Sequence, residues 1–411
     1  MVITGLGIYS SIGNSYKECL LSLKQGKSGI KFCEEYAQLN LPSQVRGELK
    51  DPIRAREFLG KNKIKASLGT FYATEALLDC LDSAFLDRSS DFVKEAGINI
   101  GTGGGAPLDV VKTDKVLQKK GVKKISTGSN FKVLPNNPNI VLGTILGMRG
   151  GSYGITSACA TASNCIGDAF LRVKMGYNKI VFAGGCDENN GLIAATFCAL
   201  RALSTHFNDT PNMASRPYDA KRDGFVMAGG AGVIVVEELE QALKRGAPIY
   251  AEILGYGFSS DGFSFTAPSG EGAQRCMKMA LKSANLSTDK IDYINTHGTS
   301  TPKGDLTEIK AIQELFLRKE REYSLKISST KALSGHGLGA AGAQEIIFSL
   351  IMMRENFLAP SNVESFDVEI KKMNLEKIFP QETEDYVFDT FLSNSFGFGG
   401  SNASLVVRKF F

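Results

Sequence analysis

One local pattern recurs along this chain and constrains its fold more than any other feature. A short β-branched run ends in a glycine- or serine-rich turn, and a helical pattern follows. Residues 2–6 open as a strand, and residues 97–100 run as a strand into the loop GTGGGAP. Residues 154–156 lead into Ser157-Ala158-Cys159, and residues 179–183 end at Gly184-Gly185. Residues 224–238 have the pattern of a hairpin with glycines at the bend. The pattern then starts again. Strands are expected at 250–254, 291–295, 325–328, 389–392 and 403–408, with helices over 271–284 and roughly 343–354. Strands alternating with helices predict mostly parallel sheets covered by helices. Two rounds of the pattern predict two similar halves, 1–245 and 246–411.

The length fits that expectation, because 411 residues exceed one ordinary core and suffice for two. An apolar fraction of 43% with 22% charged residues is that of a globular protein, neither disordered nor fibrous. The apolar run at 346–353 is too short to cross a bilayer and reads as a buried helix. The start, MVITGLGIYSSIG, lacks the basic segment of a signal peptide, so a cytoplasmic protein without membrane insertion is expected. A net charge of +4 does not imply nucleic acid. The basic residues do cluster, at 54–65 and at 112–132. The plain reading of each run is a solvated face, and the sharper one is a landing patch for an acidic partner. The eight cysteines show no CxxC spacing, which argues against zinc and thioredoxin-like chemistry.

One cysteine has a context the others lack. Cys159 falls where the expected strand gives way to a helix with apolar positions at 162, 166, 169, 170 and 173. A thiol at a helix N-terminus is expected to have a lowered pKa. Its small neighbours leave room for a substrate carbonyl, and the turn can aim an N–H at a developing oxyanion. A packed structural cysteine is the usual reading of such a residue, but the location favours a nucleophile. Of the three histidines, His297 and His336 lie in glycine-rich loops that follow strands. Lys331 precedes His336 on the same loop. Ligands of open α/β sheets bind outside the carboxyl ends of strands, so these four residues are expected to share a site. His206 has no such context and reads as a surface or packing residue. The loop NSFGFGGSN can present an N–H to a substrate or move, with Phe396 and Phe398 as core aromatics or a door. GTGGGAP lacks the Lys-Ser/Thr of a phosphate loop and does not make a nucleotide site.

Taken together, SACATASNCIG, SRPYDAKRDGFVMAGGAGVIVVEELEQALKRGA, NTHGTSTPKGD, STKALSGHGLGAAGAQE and NSFGFGGSN stand in one order along nearly the whole chain. In this the chain resembles the β-ketoacyl-acyl-carrier-protein synthases, and the synthase I branch most. The resemblance implies a thiolase-like fold, two duplicated halves in a five-layered α/β/α/β/α arrangement, working as a homodimer with acyl carrier protein as partner. It implies fatty-acid elongation by decarboxylative condensation, without metal or cofactor. Cys159 would carry the acyl group. The N–H groups of Cys159 and Phe396 would form the oxyanion hole, with Phe396 also the gate. His297 and His336 would stabilise the enolate, and Lys331 would order the site with Glu345 behind it. Thr299 and Thr301 would contact pantetheine, and Gly104 would leave the acyl pocket open. Lys63, Lys65, Lys123 and Lys132 would dock the carrier.

Alternatives differ in one residue or in substrate. A thiolase needs a second catalytic cysteine near the C-terminus, and none follows Cys276. A Cys-His-Asn synthase lacks the second histidine, and a non-catalytic chain-length partner lacks the nucleophile. A synthase II-type enzyme or a polyketide-type ketosynthase would share the same residues.

Overall fold

The computed structural model describes residues 1–317 and 324–411. Nine strands form its main sheet: β1 (Val2–Tyr9), β2 (Gly97–Gly101), β3 (Ile180–Asp187), β4 (Gly230–Glu237), β5 (Ala251–Ser260), β6 (Tyr293–Asn295), β7 (Lys326–Ser328), β8 (Thr390–Gly397) and β9 (Ser401–Arg408). They lie in the order β2-β3-β4-β1-β5-β9-β8-β6-β7. The order contains one pattern twice. β1 pairs antiparallel with β4, β4 antiparallel with β3, and β3 parallel with β2. In the same sense β5 pairs antiparallel with β9, β9 antiparallel with β8, and β8 parallel with β6. The two sets pair at one corner, where Val2 and Ile3 lie opposite Glu252 and Ala251.

Among the helices packed on or between these strands are α1 (Leu68–Ser83), α3 (Thr161–Lys174), α4 (Glu271–Ala284), α5 (Pro302–Phe316) and α6 (Ala341–Arg354), whereas α2 (Pro107–Lys120) buries none of its residues. α1 starts at Ser67, whose side chain accepts the Thr70 N–H, and packs on β1 and β4. α4 packs on β5 and β9, the equivalent strands of the second set. Between the two sets lie α3 and α6. α6 is apolar nearly all round and buried from Ala341 to Met353, as a helix enclosed on every side must be. One core cluster joins Ile166 and Phe170 of α3, Ile346 and Ile351 of α6, Ile234 of β4 and Leu405 of β9. Separate clusters lie under α1 and under α4 with α5. The layers are thus helix, sheet, helix, sheet, helix, as a thiolase-like fold requires.

Three expectations change. The sheet is mixed rather than mostly parallel, because five of its eight strand pairings are antiparallel. The segment 224–238 is not a hairpin. Only 230–237 is a strand, and the chain before it runs to the His336 loop, where Met227 and His336 form a parallel bridge. Gly229 and Gly230, with φ of +68° and +102°, make the turn between the two. Residues 154–156 likewise form no strand. The chain there lies beside β2 through Ser152, which makes an isolated bridge to Ile98.

The crossing of α3 and α6 sets the distance between the two site-bearing segments. A Cβ on Gly342 would come within 2.1 Å of Ser163 Oγ and 3.0 Å of Ser395 Oγ. Gly342→Ala should therefore lower unfolding stability by about 1–3 kcal/mol in a denaturant titration. Gly60, in an exposed helix with nothing within 4 Å of its missing Cβ, should be neutral or gain up to about 1 kcal/mol on change to Ala. Equal behaviour of the two variants would contradict this packing.

Candidate active site

The site forms where the ends of β6, β7 and β8 meet the turn that opens α3. Cys159 lies in a single 3₁₀ turn, Ala158–Ala160, ahead of the helix. Ala158 holds a left-handed φ of +49°, a conformation that costs a non-glycine residue about 1–2 kcal/mol. The Ser157 N–H is taken by Thr161 Oγ1 at 2.9 Å. His336 lies beyond β7, and His336 Nε2 is 3.0 Å from Cys159 Sγ. Its backbone is held on both sides by the 226–228 segment: His336 N–H donates to Val226 O at 2.7 Å, and Ala228 N–H donates to His336 O at 2.8 Å. That is what the segment misread as half a hairpin does.

His297 follows β6. Its ring centroid is 5.3 Å from that of His336, nearly perpendicular to it. The Glu308 carboxylate on α5 accepts the N–H groups of His297 and Gly298 at 2.9 and 2.8 Å and a bond from the Asn394 amide at 3.2 Å. The loop is thereby fixed while the imidazole stays free, with His297 Nδ1 lacking any hydrogen-bond partner. Ligand atoms of Cys159, His297 and His336 all lie within 4.8 Å of one another. The 3.0 Å between sulfur and imidazole is a hydrogen-bond distance. Two ligands of one tetrahedral zinc would stand about 3.5 Å apart.

Lys331 lies beneath the three, 1% exposed, with its ammonium against the Glu345 carboxylate of α6. Burial pushes the Cys159 thiol up to about 12, and the nearby Lys331 charge and the Phe398 N–H pull it back. The expectation of a lowered thiol pKa is therefore overturned: desolvation of a thiolate in a closed site outweighs the turn and the charge. Burial, and after it the Lys331 charge, hold both His297 and His336 well below the usual imidazole range. Both rings are neutral near pH 7. The Leu338 N–H donates to His336 Nδ1 at 3.3 Å, which leaves the ring proton on Nε2, facing Cys159.

A cavity of about 330 Å³ opens from this cluster to the surface. Thr299 and Thr301 line it, their hydroxyls 3.1 Å apart. At its inner end the expectation for Phe396 shifts by two residues. Phe396 is a residue of β8, paired with Asn402, and its ring faces His297 at 6.2 Å. The N–H that reaches the Cys159 sulfur is that of Phe398. β8 continues through Gly397, so the turn, and the free N–H, come later than the motif suggests. The Phe398 ring stacks on Phe197 at 6.2 Å. Gly104 is exposed at the surface of the chain and is not part of the cavity wall. His206 is exposed, 3.6 Å from Asp223, and takes no part in the cluster.

The two basic runs come together: Lys65 Nζ reaches Ser126 Oγ at 3.4 Å. Lys63, Lys65 and Lys123 are exposed, whereas Lys132 is half-buried and paired with Asp109. Sequence reasoning passed over Arg201 and Lys303, two exposed cations on the cavity wall. They stand in no basic run, which is why a search for charge clusters misses them.

This combination of fold, buried thiol and paired imidazoles is that of a condensing acyltransferase. Residues 1–242 match the Beta-ketoacyl synthase N-terminal domain and residues 250–363 the Beta-ketoacyl synthase C-terminal domain. The chain belongs to the β-ketoacyl synthase family. It is similar to 3-oxoacyl-[acyl-carrier-protein] synthase 1 of Escherichia coli K12, 45% identical over 99% of this chain and 98% of that protein. A crystal structure of a beta-ketoacyl synthase from Burkholderia phymatum is 30% identical, covers 100% of this chain and 99% of that one, and superposes with a TM-score of 0.89. A chain from the structure of a type II polyketide-synthase acyl-carrier protein in complex with its ketosynthase is 26% identical, covers 100% of this chain and 99% of that one, and superposes with a TM-score of 0.87.

With the thiol held up to about 12, alkylation of Cys159 by iodoacetamide should accelerate steadily from about pH 7 to about pH 10. Peptide mass mapping of timed reactions reads this directly, and a plateau below about pH 8 contradicts it.

Proposed function

We propose that this chain joins an acyl group to a malonyl unit by decarboxylative condensation, both delivered as thioesters of an acyl carrier protein, in fatty-acid elongation. The observation that carries the reading is the convergence of Cys159, His297 and His336 at the inner end of the cavity, over the buried Lys331. The Cys159 sulfur attacks the acyl thioester, the N–H groups of Cys159 and Phe398 take the charge on its oxygen, and the carrier thiol leaves with the thiol proton. The malonyl thioester then places its carbonyl oxygen between His297 and His336. As CO2 departs, negative charge develops on that oxygen. Neutral imidazoles stabilise it by donating hydrogen bonds. The carbanion attacks the acyl-Cys159 carbonyl and releases the thiolate. Thr299 and Thr301 are placed to hydrogen-bond the pantetheine arm.

The higher identity to synthase 1 favours fatty-acid elongation over polyketide chemistry. Lys63, Lys65 and Lys123, with Arg201 and Lys303 nearer the opening, offer the cationic surface an acidic carrier needs. We take Lys132 out of that set because Asp109 already neutralises it. A homodimer is the reading for the α2 face. α2 buries none of its residues, and Val110, Leu117, Val122 and Phe131 are each at least 45% exposed. Such an apolar face calls for a partner surface, and a second copy would also cover Gly104. The division into halves at 245/246 follows the repeated strand order.

Cys159→Ala should abolish the two-carbon-longer β-ketoacyl product that mass spectrometry detects from malonyl- and acyl-carrier protein; a persisting product contradicts the assignment. His297→Ala or His336→Ala should slow decarboxylation by about 10²-fold or more and acylation of Cys159 much less. A collapse of acylation alone would reverse their roles. Lys63→Glu or Lys123→Glu should raise KM for carrier-bound substrates about tenfold and leave small thioesters unaffected. Equal KM for both substrate types would exclude this surface as the dock.

A further inference from the structure

Asp187, the last residue of β3, takes no part in the steps above, yet it is 1% exposed beside the site. Its partners are backbone N–H groups rather than a cation. Oδ2 accepts from Gly103 at 3.0 Å and Gly339 at 2.6 Å, and Oδ1 accepts from Gly104 at 3.1 Å. Burying a carboxylate costs several kcal/mol, so a position that keeps one needs a reason for it.

The reason lies in what the three N–H groups belong to. Gly339 follows Leu338, a non-glycine residue with a left-handed φ of +55°. Such a backbone persists only where its surroundings over-determine it. The Leu338 N–H is the group that holds His336 Nδ1. Gly103 leads to the other side of the site: a Cβ there would meet Asp187 Oδ2 at 2.7 Å and Ala158 O at 3.1 Å. Ala158 is the strained residue just before Cys159. A Cβ on Gly339 would meet Gly103 N at 2.4 Å and Asp187 Oδ2 at 2.6 Å. The turn after His336, the loop after β2 and the turn before Cys159 thus meet at one carboxylate, with no room for a side chain between them.

We infer that Asp187 is a positioning residue: it clamps the Leu338–Gly339 turn so that the Leu338 N–H stays on His336 Nδ1 and the ring proton stays on Nε2, facing Cys159. It touches no reacting atom and acts through His336. The kinetic part of this inference rests on the proposed function; the tautomer part does not.

Asp187→Asn tests it. The substitution keeps the shape, but whichever way the amide turns, its NH2 opposes at least one of the three N–H donors. With ¹⁵N-labelled histidine, the His336 resonances of the parent protein should show the proton on Nε2, and those of Asp187→Asn should move toward the Nδ1–H form or a mixture. Decarboxylation of malonyl-carrier protein should fall about tenfold while acylation of Cys159 stays within about threefold. Asp187→Glu, which keeps the charge, should recover the Nε2–H form at least in part. A folded Asp187→Asn protein with His336 still wholly Nε2–H overturns the inference, whether or not its rate falls, because a rate loss alone would be structural. An Nδ1–H tautomer in the parent protein overturns it without any variant. If condensation is absent in the parent while the tautomer shifts as described, the proposed function fails and the positioning role stands.

Discussion

The buried ammonium of Lys331 is the charge around which the site is built. It sits at the base of the site with 1% exposure and with one carboxylate, Glu345, against it. From there it lowers the pKa of the thiol and of both imidazoles. For the histidines its effect adds to that of burial, and both are neutral. For Cys159 it opposes burial and loses. The resting site therefore combines a protonated thiol, two neutral rings and one buried ion pair. Such a site has little free charge to attract water, and its field favours whatever negative charge a reaction creates there. Breaking the Lys331–Glu345 pair from either side would leave an uncompensated buried ion, which costs about 3–5 kcal/mol.

That arrangement depends on both rounds of the strand pattern. The first supplies Cys159 at the head of α3 and Asp187 at the end of β3. The second supplies His297, Lys331 and His336 after β6 and β7. α3 and α6 cross between the two sheets with a glycine against a serine, so their spacing has little freedom. The 226–228 segment crosses from the first set to hold the His336 backbone. Catalytic distances of about 3 Å between residues 177 apart in sequence are fixed by these crossings, not by the loops themselves.

Much of this was legible in the sequence, for physical reasons that differ by element. Strand–glycine–helix segments are local, so the loops bearing His297, Lys331 and His336 could be read directly, whereas the strand expected before Cys159 does not form. Phe396 and Phe398 could not be told apart, because both sit in one glycine-rich motif and only strand pairing decides where β8 ends. The 224–238 segment has the residues of a hairpin, but its first part finds a better partner in the His336 loop. A helix N-terminus argues for a lowered thiol pKa, and only the degree of burial, which no local pattern encodes, reverses the sign. No local pattern gives Asp187 a partner. Its role comes from three backbone N–H groups brought from residues 103, 104 and 339.

The central claim is that the acyl group passes through Cys159 before the new bond forms. Peptide mapping of the protein after incubation with acyl-carrier protein alone tests it most directly. The account predicts one acyl group, on the peptide that contains Cys159, removed when malonyl-carrier protein is added and CO2 is released. An acyl group on any other residue, or one that stays on Cys159 while CO2 and product appear, would contradict it.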